Sequence, residues 1–145
     1  MGYSFHDHRI PGGIGADDGF WESLEDGEFR LARCADCERW MWPAHHRCPT
    51  CGSWEQRWEH TAMAGRVFSW TRVHAGVDQA REGAPELPYV VVVAELPAAA
   101  GARVLGKLAG PDVDVRIGAP LTGHIDPPSV RSRGYAAVRW TLGEH

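Results

Sequence analysis

The chain has 145 residues, 43% of them hydrophobic, and a formal net charge of −4. That length holds one medium domain, or a small module joined to a domain of about 100 residues. No apolar run approaches the ~20 residues of a membrane helix, and the acidic balance argues against indiscriminate attraction to nucleic acid or anionic lipid. Lys107 is the one lysine among fifteen basic residues. The arginines offer forks for phosphate or carboxylate, but a GC-rich coding bias accounts for them equally well.

Residues 1–16 carry Gly12, Gly13 and Gly15 behind His6-Asp7-His8 and show no periodicity. They are expected to form a flexible lead-in; His6 and His8 could bind a metal, though a solvated tail is the simpler reading. Residues 17–28 are expected to be a short amphipathic helix. Asp17 or Asp18 caps it, Phe20 and Leu24 stand one turn apart, and Gly27 stops it. At fewer than ~12 residues it is too short to be stable alone, so it must pack on this chain or on a partner.

The only four cysteines fall as two CxxC pairs, Cys34–Cys37 and Cys48–Cys51, ten residues apart. A CxxC knuckle turns two sulfurs toward one point, and two knuckles across a hairpin make the closed tetrahedron of structural Zn²⁺. Gly52 suits the left-handed turn by which the chain leaves the second knuckle. Iron uses the same four thiolates, and ligand identity alone does not separate the two metals. Disulfides would need an oxidising compartment, and no signal-peptide pattern precedes the cysteines, so a cytoplasmic location is expected. A redox dithiol normally uses one CxxC, not two. His45 and His46 in the intervening loop could replace a thiolate, but with four cysteines at ligand spacing they read as solvated. The ribbon is expected over residues 29–53. Five of the seven tryptophans (Trp21, Trp40, Trp42, Trp54, Trp58) crowd this segment and are expected to cover its apolar side.

From residue 54 to 145 the pattern is β. Trp54, Gln56, Trp58 and His60 alternate onto one strand face, and residues 66–74 are rich in β-branched and aromatic side chains. A polar loop follows at 75–88. Residues 89–96 are almost continuously apolar, which predicts a central strand covered on both faces. Pro97–Gly101 predicts a hairpin connection into 103–108, where Gly106 suggests a bend or bulge. A short turn, helical in one reading, falls at 113–118, and further strands at 121–125 and 135–142. The five kinked strands from residue 66 onward, in about 80 residues, close most economically into an OB-type barrel, with a small β-sandwich as the alternative. The fold class is thus mainly β: a short N-terminal helix, a rubredoxin-like zinc ribbon, then a five-stranded OB-type barrel.

No enzyme constellation stands out, so no catalytic residue is assigned. His74 and Glu95, each at a strand end, could act as base and acid, but both read more simply as rim residues; Asp112 and Asp114 read as capping or solvated charges. Phe68 and Trp70, flanked by Arg66 and Arg72, could stack single-stranded nucleic acid as other OB barrels do. Period two instead puts these four on one face with His74, around buried aromatics, so nucleic-acid binding is kept as the alternative.

A series of motifs then occurs in order: Phe20-Trp21; the four-cysteine ribbon with Trp42-Pro43 ahead of Cys48-Pro49-x-Cys51-Gly52; Gly65-x-Val67-x-Ser69-Trp70-Thr71-x-Val73-His74; Pro88-Tyr89-Val90 through Ala94-Glu95-Leu96; and Ile117-Gly118-x-Pro120. This order resembles the acyl-CoA-associated zinc-ribbon/OB-fold family of bacteria and archaea over about residues 17–142. The resemblance implies zinc at Cys34, Cys37, Cys48 and Cys51. It also implies an accessory subunit, not catalytic alone, that assembles with a thiolase-superfamily protein. Such partners are thiolases, hydroxymethylglutaryl-CoA synthases, or lipid-transfer-protein-like retro-aldolases of steroid or aromatic side-chain degradation. An acyl-CoA thioester becomes a candidate ligand; the resemblance identifies no individual CoA contact, and arginines such as Arg33, Arg39, Arg66 or Arg72 are candidates only because guanidinium forks suit phosphate. A helix exposing Phe20 and Trp21, together with the Trp-rich ribbon and one barrel face, would supply the docking surface.

Overall fold

The computed structural model describes residues 15–76 and 79–143; the His6-Asp7-His8 reading and Gly12 and Gly13 lie outside them. The chain runs through α1 (Asp18–Glu25), β1 (Arg30–Cys34), β2 (Trp40–Met41), β3 (Gln56–His60), β4 (Ala64–Val73), β5 (Tyr89–Leu96), a 3₁₀ turn (Pro97–Ala99), β6 (Ala102–Leu108), β7 (Pro120–Asp126) and β8 (Ala137–Leu142). Two sheets result. The first is three-stranded in the order β2-β1-β3, and the second is a closed barrel in the order β4-β5-β6-β8-β7. All barrel pairings are antiparallel except β6 with β8, so closure needs one crossover, supplied by the β7 hairpin onto β8. This is the OB-type barrel expected from the sequence, not a sandwich.

Trp140 fills the barrel. It is fully buried on β8, and two glycines make room for its indole. A Cβ built on Gly106 would stand 2.7 Å from its Cδ1 and 2.9 Å from the Val138 carbonyl oxygen; one on Gly123 would stand 2.7 Å from its Cζ3. Gly106 therefore marks close approach, not the bulge expected there, and its pairing with β5 is unbroken. The register shift sits instead in β4, between Val67 and Ser69. It leaves Val67 buried and Phe68 exposed, so the expected single face from Arg66 to His74 does not form. In β5 alternate residues from Val90 to Leu96 are buried and the others half-buried. One face meets the core while the other is only partly covered, because five strands close around a single interior. Residues 113–118 make turns and no helix.

The strand Gln56–His60 pairs with β1 along its whole length, from Arg30–His60 to Cys34–Gln56. It completes the ribbon's sheet and is not a barrel strand; Trp54, ahead of it, is 68% exposed. α1 packs on its own chain. Phe20 is 3% exposed, its ring 4.2 Å from that of Trp42 and 6.2 Å from that of Phe29. Trp21 lies edge-on to Tyr135 at 5.4 Å, and its Nε1 donates to Asp17 Oδ2 at 3.0 Å. The expected exposure of Phe20 is thus overturned, while Trp21 stays half-buried: an eight-residue helix gains stability only by burying its apolar face, and the ribbon–barrel junction lies within reach. Trp21, Trp40, Trp42 and Trp58 pack against the same core cluster as the barrel interior. The tryptophans cement ribbon to barrel more than they cover the cysteines.

Two stability measurements check this packing. In urea unfolding followed by circular dichroism, Phe20→Ala should cost about 3–5 kcal/mol, as for a large-to-small change in a core; a near-zero cost would mean that the helix face is exposed. Gly106→Ala should cost about 1–3 kcal/mol through overpacking against Trp140.

Candidate functional site

The metal centre begins with two chain reversals. The first knuckle closes where β1 ends. Cys34 N–H donates to the Arg39 carbonyl at 2.9 Å, Glu38 N–H donates to the Cys34 carbonyl at 3.0 Å, and Glu38 takes φ +65°. The second repeats the device: Gly52 N–H donates to the Cys48 carbonyl at 2.9 Å with φ +78°, and Cys48 N–H donates to the Ser53 carbonyl at 2.8 Å. Ala35 N–H donates to the Glu55 carbonyl at 2.9 Å and ties the first knuckle to the chain entering β3.

These turns bring the Sγ atoms of Cys34, Cys37, Cys48 and Cys51 within 4.8 Å of one another. Cys34–Cys51 and Cys37–Cys48 are each 3.6 Å apart, far beyond a disulfide bond. A regular ZnS₄ tetrahedron with bonds of about 2.3 Å has edges of about 3.8 Å. The electrostatics agree. Amide N–H groups of Cys51 and Thr50 aimed at Cys48 help bring its thiol down to about 6. The Ser53 amide also favours the Cys51 thiolate, yet burial and the neighbouring cysteine sulfurs push Cys51 up to about 12. Cys34 is lowered by the Cys37 amide; Cys37, despite the Arg39 amide, is raised by burial and Cys48. Four thiols held this close cannot all ionise on their own, and a central dication removes the conflict. The donor set therefore fits structural zinc. Cys34 and Cys48 are buried beneath a small cluster with Ala32 and Met41, which Ala44 and Trp58 flank.

The remaining candidates are scattered. His45 and His46 are exposed and stand outside the cysteine group. His74 is exposed just beyond β4. Glu95 pairs with Arg103 at 3.4 Å, and Asp112 with Arg72 at 3.1 Å; Asp114 is exposed. Of the four arginines considered for phosphate, Arg33 donates to Glu59 at 2.7 Å and lies over the Trp40 ring. That hydrogen bond raises Arg33 and holds Glu59 below the usual carboxylate range. Arg39 donates to Thr50, and Arg72 is held by Asp112. Arg66 is exposed, opposite Glu95 on β5. The four do not converge on one place. Arg103 lies over the exposed Phe68, its guanidinium 3.6 Å from the ring centre, and Trp70 packs toward the core. Phe68 is exposed while Trp70 is partly buried against the core, so the two differ in what they offer a stacking base.

Sequence reasoning missed a cleft of about 920 Å³ beside β6 and β8, in which Lys107, Arg81, Arg131 and Arg139 come together. The singular lysine was the one available signal. Among the described residues no helix is long and apolar enough to cross a membrane.

Comparison with known proteins also divides the chain into ribbon and barrel, with the boundary falling at β3. Residues 21–55 match the family model described as ChsH2, rubredoxin-like zinc ribbon domain, and residues 58–126 match that described as ChsH2, C-terminal OB-fold domain. No curated protein sequence matches. Among solved structures, the fold is similar to a chain of the "Ltp2-ChsH2(DUF35) aldolase", with TM-score 0.77 and 24% identity over 92% of this chain and 98% of that one. It is also similar to a DUF35-family protein of unknown function from Sulfolobus solfataricus, with TM-score 0.58 and 18% identity over 95% of this chain and 92% of that one. With zinc ribbon and barrel both matched in the same order, the chain belongs to the ChsH2-type zinc-ribbon/OB-fold family.

Proposed function

We propose that this chain is a non-catalytic accessory subunit of a thiolase-superfamily enzyme, of the lipid-transfer-protein-like aldolase type, acting on an acyl-CoA thioester. A degradative pathway for steroid or aromatic side chains is the pathway we favour. The observation that carries this is the pairing of a ChsH2-type ribbon with a ChsH2-type barrel, in a chain similar over most of its length to one from an Ltp2-ChsH2 aldolase. Exposed apolar residues support an interface: Val113 and Ile117, 82% and 74% exposed, lie four residues apart in the β6–β7 connection. Side chains of this kind, when grouped, mark docking surfaces. With the apolar face of α1 packed on its own chain, the docking surface expected of helix, ribbon and one barrel face together is carried in this reading mainly by the barrel and its β6–β7 connection.

Cys34, Cys37, Cys48 and Cys51 hold the zinc in this reading, with the thiolates kept reduced in the cytoplasm. Bound there, the ion supplies no reaction chemistry; it locks the two knuckles and so fixes β1, β2 and the entry to β3.

Purified protein should contain one zinc per chain and little iron by elemental analysis. Cys34→Ser should lower metal content and make the ribbon tryptophans unfold before the barrel. Acidification should release the metal, since protons compete for thiolate; metal-free protein of unchanged stability would remove the assignment. For the partnership, a co-expressed lipid-transfer-like aldolase should co-elute with the chain in size-exclusion chromatography, and the aldolase should lose activity without it. Val113→Asp with Ile117→Asp should weaken that complex by at least about tenfold, as expected for loss of buried anchors. Two separately eluting proteins, or thioester turnover by the isolated chain, would end the accessory-subunit reading.

A further inference from the structure

The four sulfurs of the ribbon are not equivalent. Cys34 and Cys48 are buried, at 0% and 2% exposure, whereas Cys37 and Cys51 are exposed. The two sulfur contacts at 3.6 Å, Cys34–Cys51 and Cys37–Cys48, each join one exposed sulfur to one buried sulfur. Both contacts also run from one knuckle to the other. A solvent-facing thiolate beside a sheltered one is the arrangement in which the first is oxidised and the second resolves it.

The ties that impose this pairing do not pass through a metal. Arg39 donates to Thr50, and Ser53 donates to Asp36, so side chains bridge the two knuckles in both directions. Ala35 N–H adds a third tie, to the Glu55 carbonyl at 2.9 Å. Beneath them Ala32 and Met41 share a buried cluster with Cys34 and Cys48. The knuckles are thus held face to face by hydrogen bonds and packing alone. Closing each 3.6 Å contact to a disulfide of about 2.05 Å asks for a sulfur movement of roughly 1.5 Å. The resulting bonds nest, Cys37–Cys48 inside Cys34–Cys51, and link the knuckles as a metal would. Bonds within each CxxC pair would leave the knuckles unlinked. The barrel holds no cysteine, so the chemistry is confined to the ribbon.

We propose that the ribbon is a reversible oxidation site, at which hydrogen peroxide converts the four thiolates into the disulfides Cys34–Cys51 and Cys37–Cys48 and expels the zinc. In each pair the exposed thiolate attacks a peroxide oxygen, the O–O bond breaks, and the departing hydroxide takes a proton to become water. The buried thiolate then attacks the resulting sulfenic sulfur, the S–S bond forms, and hydroxide again leaves as water. Each disulfide therefore gives up two electrons from two thiolates and consumes one peroxide and two protons. A dithiol returns the thiolates by exchange. The proposal rests on the zinc assignment but not on a partner. It can fail while complex formation succeeds, and the metal content of untreated protein decides the zinc assignment separately.

The test uses the full-length, zinc-loaded chain titrated with hydrogen peroxide. A chromogenic chelator reads the released zinc, and peptide mass spectrometry without reduction reads the bonds. Zinc should leave in step with disulfide formation, and the two cross-knuckle pairs should dominate the map. Dithiothreitol with added zinc should restore the metal. Arg39→Ala combined with Ser53→Ala removes two ties and touches no sulfur. This variant should keep its zinc, yet its ratio of cross-knuckle to within-knuckle bonds should fall at least about fivefold, the scale of one lost hydrogen bond. The proposal is overturned if Cys34–Cys37 and Cys48–Cys51 bonds dominate in the native chain, or if the bonds form between chains. It is equally overturned if peroxide yields sulfinic acids without disulfides, or if zinc stays bound while free N-acetylcysteine in the same solution is oxidised. Should the double variant fail to fold, Ser53→Ala alone decides whether the ties steer the pairing, and an unchanged ratio there overturns it.

Discussion

Four cysteine sulfurs within 4.8 Å of one another set the terms for the N-terminal third of this molecule. A three-stranded sheet with one two-residue strand has little apolar interior of its own, only Ala32, Cys34, Met41 and Cys48 in its private cluster. Sheets of that size are marginal in water. The chain answers this twice. At the far end the thiolates invite a dication, which converts their mutual repulsion into coordination. At the near end β3 and the tryptophans join the ribbon to the larger core, so that Leu31 and Phe29 belong to the same cluster as Trp140.

That joint explains why α1 exists at all. Eight residues cannot hold a helix by hydrogen bonding, and the cap gives modest help: the Asp17 side chain takes the Trp21 indole, not a backbone amide of the first turn. What holds α1 is Phe20 between Trp42 and Phe29, with Trp21 reaching Tyr135 ahead of β8. The helix thereby clasps an element of the ribbon to an element of the barrel. The four-cysteine site thus bears on β1 and β2, while the closure of the barrel rests on Trp140 and its two glycines.

What could be read from the sequence was local or periodic. CxxC spacing fixes a turn within a few residues, so the knuckles and their four donors were legible, as were the β-branched runs of β4 and β5. What could not be read depends on pairing between distant residues. Gly106 looks the same whether it bends a strand or admits an indole; only β8 laid beside it distinguishes the two. The bulge at Phe68 is a register choice between β4 and β5, and it rearranged the face that alternation predicted. Phe20 looked like part of a docking surface because nothing local announced that Trp42 and Phe29 would cover it, with Trp21 turned to Tyr135 and left half-buried.

Net charge misleads for the same reason. It averages over a surface, whereas a ligand meets a few ångströms of it. The acidic total argued against anionic partners, yet it is compatible with a basic cleft because the excess acid lies elsewhere. The neighbourhood of Lys107 is built by β6 and β8 in parallel register and by two loops that bring Arg81 and Arg131 from opposite sides in sequence. In an OB barrel β6 and β8 meet only through the crossover that closes the sheet, so a charge cluster there exists only once the barrel has closed. Folding therefore stands between the sequence and the site: the topology that shelters Trp140 on the inside is what crowds the cations on the outside.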